Sequence, residues 1–439
     1  MGVTRDLAGF VLETGFASLP PEVVKEAKRD VINVIGVALY ASRDPSLGIL
    51  LGLFDDEGGK ERATVWGTPQ RTTLQNAALA NGYLAHLEDY DDTHFPTVLH
   101  PSSPAVPAAY ALAEAGHLSG QDLLAAVALG VEASCRLALA VHPWHYDLGW
   151  HITGTFGVFG SAVASAKLLG LDADQTVASL GIAGTQAAGV REVFGSMSKP
   201  FHAGRAAQAG LVAGLLAQRG FTSTTTILEG RRGVPAVMSG TYDLDRVMDA
   251  IGKRWELFNN GLKPYSCGVV SHPLIDACIN FRKTEQIDPA AVESIEAEVN
   301  PLVPELMGII DPKVGLEGKF SARYCGAAGL LEGAAYPTQF TDAKVKDPAL
   351  VGLHRKISFK TSDAIREDEA RVRLTLKDGR RFEQYIEHAT GSPDNPMPDS
   401  QLNEKFLTLA TRAMPQQDAH DLLGRLWKLD ELDDVAALF

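Results

Sequence analysis

At 439 residues the chain exceeds the size at which a single hydrophobic core usually stops growing, so two bodies are expected. An apolar share of 45% with 21% charged residues is ordinary for a folded globular protein and excludes a chain that is disordered throughout. The net charge of −14 argues against nucleic acid or an anionic membrane surface as a partner, and any anionic substrate would need a locally basic pocket.

The first segment, MGVTRDLAGFVLETGF, carries acidic residues where a secretory leader needs an unbroken apolar core. No charge-free apolar stretch of about 18 residues suggests a membrane span. Cys135, Cys267, Cys278 and Cys325 form no CxxC pair and no regular spacing, so neither a disulfide framework nor a zinc site is indicated. A cytoplasmic protein is the expectation.

From Pro20 to Ser42, Val23, Ala27, Val31, Ile35 and Ala38 recur at steps of three and four, an amphipathic helix opened by proline. Alanine-rich helical segments follow at about 73–88, 104–116, 121–141, 155–169, 174–188 and 201–219. The texture changes after Lys263. VESIEAEV at 292–299, the segment 356–360 and the pair 371–376 and 382–387 alternate apolar with polar residues, with Lys377-Asp378-Gly379 at a hairpin turn. Helical periodicity returns after the linker GSPDNPMPDS at 391–400. The predicted fold is mainly α: a large all-helical domain of residues 1–262 and 396–439, with a smaller α+β domain, 263–395, inserted into it.

Chemistry concentrates in EDYDDTHFPTVLHPSS at 88–103, where carboxylates, a threonine and two histidines crowd between apolar helical segments. DYDD reads either as a solvated helix end that caps itself or as a set holding a general base. His100 stands before a Ser-Ser-Pro helix start, His151 before the helix beginning near Thr153, and Lys199 before Pro200, which opens the segment from Phe201. Helix N-termini favour carboxylates, and a basic side chain at each start adds a charge-assisted donor. His202 and Arg205, three residues apart, extend the third positive face. If the three starts converge, they form a polycarboxylate cradle without a metal. Asp89, Tyr146, Lys199, His100 and His151 are the candidate proton carriers. His117, His354, His388 and His420 read as structural or surface residues.

Five blocks resemble the MmgE/PrpD family: 81–103, HYDLGWHITGTFGVFGSAVASAKLLGL at 145–171, SMSKPFHAGRAAQAGLVAGLLAQRGF at 196–221, KPYSCGVVSHPLIDA at 263–277 and GKFSARY at 318–324. The family includes 2-methylcitrate dehydratase, cis-aconitate decarboxylase and iminodisuccinate epimerase, all acting on small polycarboxylates. The resemblance implies a helical domain with an α+β lid, commonly a homodimer, and an enzyme, an isomerase or a lyase, that works without a cofactor or metal. It implies that Asp89, Thr93, His100, His151 and Lys199 line the site, with Tyr146 as a proton-transfer partner of the lysine in epimerase-like members. Lys263 and His272, in the KPY-like block, complete the expected substrate contacts, alongside His202 and Arg205. Decarboxylase members carry a histidine five residues after the lysine of that block, whereas here that position is Gly268. One extra residue also separates Thr93 from His100. The blocks look closer to the epimerase than to the dehydratase, and Asp91 and Asp92 are expected in supporting roles.

Overall fold

A computed structural model describes residues 2–439. It contains two compact units: one comprises the chain up to Leu87 with Asp91–Gly261 and Pro398–Phe439, the other Glu88–Tyr90 with Leu262–Met397. The tripeptide Glu88–Tyr90, counted with the helical body from texture alone, clusters with the second unit.

The first unit is helical. Its main helices are α1 (Val3–Glu13), α2 (Pro21–Ala41), α3 (Pro45–Glu57), α4 (Leu74–Leu87), α5 (Ser102–Gly116), α6 (Gly120–Val141), α7 (Trp144–Asp147), α8 (Ile152–Leu168), α9 (Ala173–Gly184) and α10 (Ser198–Gln218). Proline sits in the first turn of α2 and α3, where its missing N–H costs no helical bond. Asp44, Ser119 and Asp172 cap α3, α6 and α9 through backbone N–H groups two or three residues on. After the second unit the chain returns in helices Asp399–Ala410 and Gln416–Trp427, where Lys405 Nζ donates to Asn33 Oδ1 at 2.7 Å.

Small residues set the packing distance. α4 and α10 run antiparallel, with Leu74, Ala77 and Ala78 in one apolar cluster with Ala207 and Leu211. At the crossing, a Cβ on Gly204 would lie 2.4 Å from the Leu79 carbonyl oxygen, and one on Gly82 would lie 2.9 Å from Gly204 Cα. The two backbones therefore touch, and only glycine permits it.

α6 is long and apolar enough to cross a membrane, yet 94% of its most apolar window is buried in the protein. Its two central charges are satisfied internally. Arg136 Nε bonds Glu132 Oε1 at 2.5 Å, and its guanidinium donates to the carbonyls of Val247 at 3.1 Å and Asp249 at 2.8 Å. A buried guanidinium with a paired carboxylate and carbonyl acceptors belongs to a protein core.

The second unit is built on a four-stranded sheet in the order 357–361, 292–299, 370–376, 381–386. The first pair is parallel and the other two are antiparallel, with Leu374 opposite Phe382 in the hairpin. Ala370, Val372, Leu374 and Leu376 turn inward at period two. Gly379, at φ 89°, makes the turn that the Lys-Asp-Gly sequence predicts. Helices His272–Lys283 and Ala322–Glu332 pack together in the same unit.

The glycine contact is testable. Gly204→Ala should destabilise the protein by about 1–3 kcal/mol in urea unfolding, because the new methyl meets backbone. Gly9→Ala, whose Cβ meets nothing within 4 Å in α1, should be neutral or stabilising by about 0.5–1 kcal/mol. Equal effects at the two positions would contradict the packing.

Candidate functional site

The three helix starts singled out by sequence converge within the first unit. His100 precedes α5, and His151 is the N-cap residue of α8. Lys199 lies inside the first turn of α10, which begins at Ser198, two residues before the proline expected to open it. A fourth group joins them: His86, in the last turn of α4. The His86 ring lies edge-on to His100 at 4.4 Å and stacks on His151 at 5.7 Å. His151 Nδ1 is 2.9 Å from His202 Nδ1, so one ring must donate and the other accept. Phe194 packs edge-on to His151 at 5.0 Å, and the Lys199 ammonium sits 5.4 Å from the Phe194 ring centre. His86, His100, His151 and Lys199 are all buried, and His202 is half-buried.

Asp91 anchors this array. Its Oδ2 accepts from His86 Nδ1 at 2.8 Å and from the Ser103 hydroxyl, and its Oδ1 lies 3.3 Å from His100 Nδ1. Burial alone would raise the Asp91 carboxyl, but His86 and His100 outweigh it and hold the group well below the usual carboxylate range. Burial is the largest influence on His86 and lowers it to about 4 despite the opposing pull of Asp91, with the Lys199 charge adding to the lowering. The consistent state is an ionised Asp91 bonded to a neutral His86 that carries its proton on Nδ1, leaving the Nε2 lone pair without a partner. His151 is lowered well below its ordinary value by burial, with the neighbouring His86 and the Lys199 ammonium adding to the lowering. His202 is lowered by burial and by Lys199.

The flanking loop holds His100 in one orientation. His100 Nδ1 lies 2.8 Å from the Asp92 carbonyl and therefore carries the proton, with Thr93 Oγ1 at 3.4 Å. The His100 backbone N–H donates to Thr153 Oγ1 at 3.1 Å, tying the loop to the start of α8. Asp92 Oδ2 takes the Ser102 N–H at 3.2 Å and the Asn260 amide at 2.6 Å. Burial, followed by the Asp91 charge, raises the Asp92 carboxyl. Both acids hold local geometry through these bonds. Val98 adopts φ 54°, a left-handed conformation that a β-branched residue rarely takes, in the segment with the extra residue.

The remaining expected site residues make contacts of their own. Arg205 is exposed, and its guanidinium bonds Gln208 in the same helix. Tyr146, in α7, is buried with the Arg191 guanidinium 4.0 Å from its ring centre. Asp89, Lys263 and His272 belong to the second unit. There Lys263 Nζ lies 3.1 Å from the Asp89 carbonyl and 3.2 Å from its Oδ1, and His272 Nε2 is 3.4 Å from the Cys267 carbonyl.

His86, absent from the sequence-based set, is the main addition. Its potential ligand atom and those of Asp91 and His100 lie within 4.8 Å of one another, a spacing a metal could use. The hydrogen bonds restrict which atoms could serve: Nδ1 of His100 needs its proton for the Asp92 carbonyl and is no lone-pair donor there, which leaves Nε2. The arrangement is suited to moving protons and attracting carboxylates. It combines neutral imidazoles with restricted tautomers, a nearby ammonium and helix N-termini.

Comparison with known families agrees with the residue blocks. The MmgE/PrpD N-terminal domain matches residues 5–247 and the MmgE/PrpD C-terminal domain matches 265–429. The chain belongs to the MmgE/PrpD family. Relatives of this MmgE/PrpD protein include a cis-aconitate decarboxylase of Aspergillus terreus, 27% identical over 100% of this chain and 95% of the relative. A cis-aconitate decarboxylase-like protein of Aspergillus oryzae is 28% identical over 99% and 96%. The Mus musculus cis-aconitate decarboxylase is 26% identical over 99% and 92%.

The neutral state of His86 sets a pH signature. Its folded value is depressed, so the associated stability is fully present above the ordinary value of 6.5 and is lost as pH falls through about 4. Over that window, unfolding takes up a proton at His86, and His86→Gln should reduce the pH slope of the unfolding free energy by about one proton. An unchanged slope would contradict a neutral, desolvated His86.

Proposed function

We propose that this MmgE/PrpD protein is a cofactor-independent enzyme that forms and discharges a carbanion next to a carboxylate of a small di- or tricarboxylate. The observation carrying this reading is the array of buried His86, His100 and His151 with half-buried His202 beside Lys199, anchored by Asp91. An ammonium attracts the carboxylate and stabilises charge that develops on its oxygens, while a neutral imidazole can take or return the proton. His100, its Nδ1 proton held by the Asp92 carbonyl, presents the Nε2 lone pair in its neutral form. Thr93, His202 and the helix starts hold substrate carboxylates; Asp89, Lys263, His272 and Arg205 are assigned to substrate contacts or proton handling on the strength of the family resemblance.

The finer reading is epimerisation: a proton leaves the carbon alpha to a carboxylate, and another is delivered to the opposite face by Lys199 or Tyr146. Iminodisuccinate is the model substrate. Gly268 supports this choice over decarboxylation, since the decarboxylase subgroup has a histidine there. Here a Cβ at that position would lie 2.3 Å from the Met307 sulfur. The names of the relatives favour a second reading, decarboxylation of cis-aconitate, in which loss of CO₂ leaves a carbanion that the same acids protonate. Expulsion of a beta hydroxyl from 2-methylcitrate would be the dehydratase outcome of the same intermediate. We further propose a homodimer in the cytoplasm.

Incubating the protein in D₂O separately with iminodisuccinate, cis-aconitate and 2-methylcitrate, followed by NMR, tests these readings. Deuterium entry into iminodisuccinate without net loss of CO₂ or water is expected; loss of CO₂ from cis-aconitate would establish the second reading. Lys199→Ala should abolish turnover while leaving the melting temperature within a few degrees. Near-full activity in that variant would overturn the proposed chemistry.

A further inference from the structure

A cavity lies at the other end of the helix pair that carries the imidazole array. It has a volume of about 320 Å³ and opens between the segment before α4, the first turn of α4 and the last turns of α10. Leu74, Val212, Leu215 and Leu216 give it an apolar lining, and Lys60, Arg62 and Arg219 line it too. None of the three cations has a carboxylate within ion-pair distance among the described residues; Arg219 Nη1 donates at 2.8 Å to the carbonyl of Leu215 in its own helix. Glu61, between Lys60 and Arg62, does not line the cavity. Arg71, by contrast, is paired with Glu114 at 2.6 Å. In a protein of net charge −14, three cations without acidic partners around one apolar hollow form a local reversal of sign.

We infer that this cavity binds a small organic phosphate, a phosphate monoester carried on a compact apolar body. The charge count distinguishes this ligand class. A phosphate monoester is close to a dianion at neutral pH and presents three acceptor oxygens, which suits two guanidinium forks and an ammonium better than a single carboxylate does. The leucine and valine lining accepts the apolar body, so neither inorganic phosphate nor a neutral alcohol should match the full surface. The site is separate from the imidazole array: Leu74 is twelve residues from His86 in α4, a separation of about 18 Å along the helix. Occupancy of one does not require occupancy of the other.

Titration calorimetry with hexyl phosphate at low salt is the test, with inorganic phosphate, hexanol and hexanoate as comparison probes. Hexyl phosphate should bind at least about tenfold tighter than each comparison probe and weaken as salt rises. Lys60→Gln/Arg62→Gln and, separately, Arg219→Gln should each weaken it by about tenfold with melting temperatures unchanged, since all three side chains are exposed. Lys199→Ala should leave binding unchanged. Equal binding of hexanoate or inorganic phosphate would overturn the ligand class. Loss of binding in Lys199→Ala, retention in both cavity variants, or no detectable binding would overturn the site.

Discussion

A carboxylate removed from water needs donors, and Asp91 finds two for its Oδ2, in His86 and Ser103, with the His100 ring beside its Oδ1. His86 comes from the last turn of α4, Ser103 from the first turn of α5, and His100 from the residue pair before it. One buried anion thereby couples the end of one helix to the beginning of the next and orients two imidazoles. Burial forces His86 towards neutrality, while the ionised carboxylate holds its proton on Nδ1. The tight glycine crossing of α4 and α10 brings Lys199 and His202, at the start of α10, to the His86 end of α4. Packing and protonation are parts of one arrangement: a looser helix pair would admit water and lift the desolvation on which the neutral rings depend.

The elements were legible because their patterns follow backbone periodicity. Helical stripes of Val23, Ala27, Val31 and Ile35, and the two-residue alternation of Ala370, Val372, Leu374 and Leu376, survive as buried faces. The convergence of His100, His151 and Lys199 was anticipated from three basic residues at helix starts. His86 was not legible in the same way. It lies within the apolar run NGYLAHL, and its partner Asp91 is five residues later, across the helix end and the left-handed turn at Asp89, φ 50°. A periodic pattern cannot represent such a pair, although a histidine in an apolar run just before three aspartates is a usable signal. Arg205 shows a different limit of the pattern. Its three-residue spacing from His202 specifies a position on the helix surface but not the direction of a long flexible side chain, which turns to Gln208.

In the proposed chemistry the outcomes share one carbanion, and specificity depends on what surrounds it. Gly268 beside Met307 stands where the family resemblance implies a histidine in decarboxylases, and the strained Val98 lies in the segment where it implies an added residue. Both changes leave Asp91 and its imidazole partners intact. The same proton-handling core can therefore be retained while loops and single pocket residues redirect the outcome.

The central claim is that desolvation keeps His86 and His151 neutral beside an ionised Asp91. Nitrogen-15 NMR of histidine-labelled protein at pH 7 tests it most directly, with His86→Gln used to assign the His86 signals. The account predicts neutral-imidazole shifts for both rings, with the His86 proton on Nδ1 and its neutral signature persisting below pH 5. An imidazolium signature for His86 at pH 7 would contradict it.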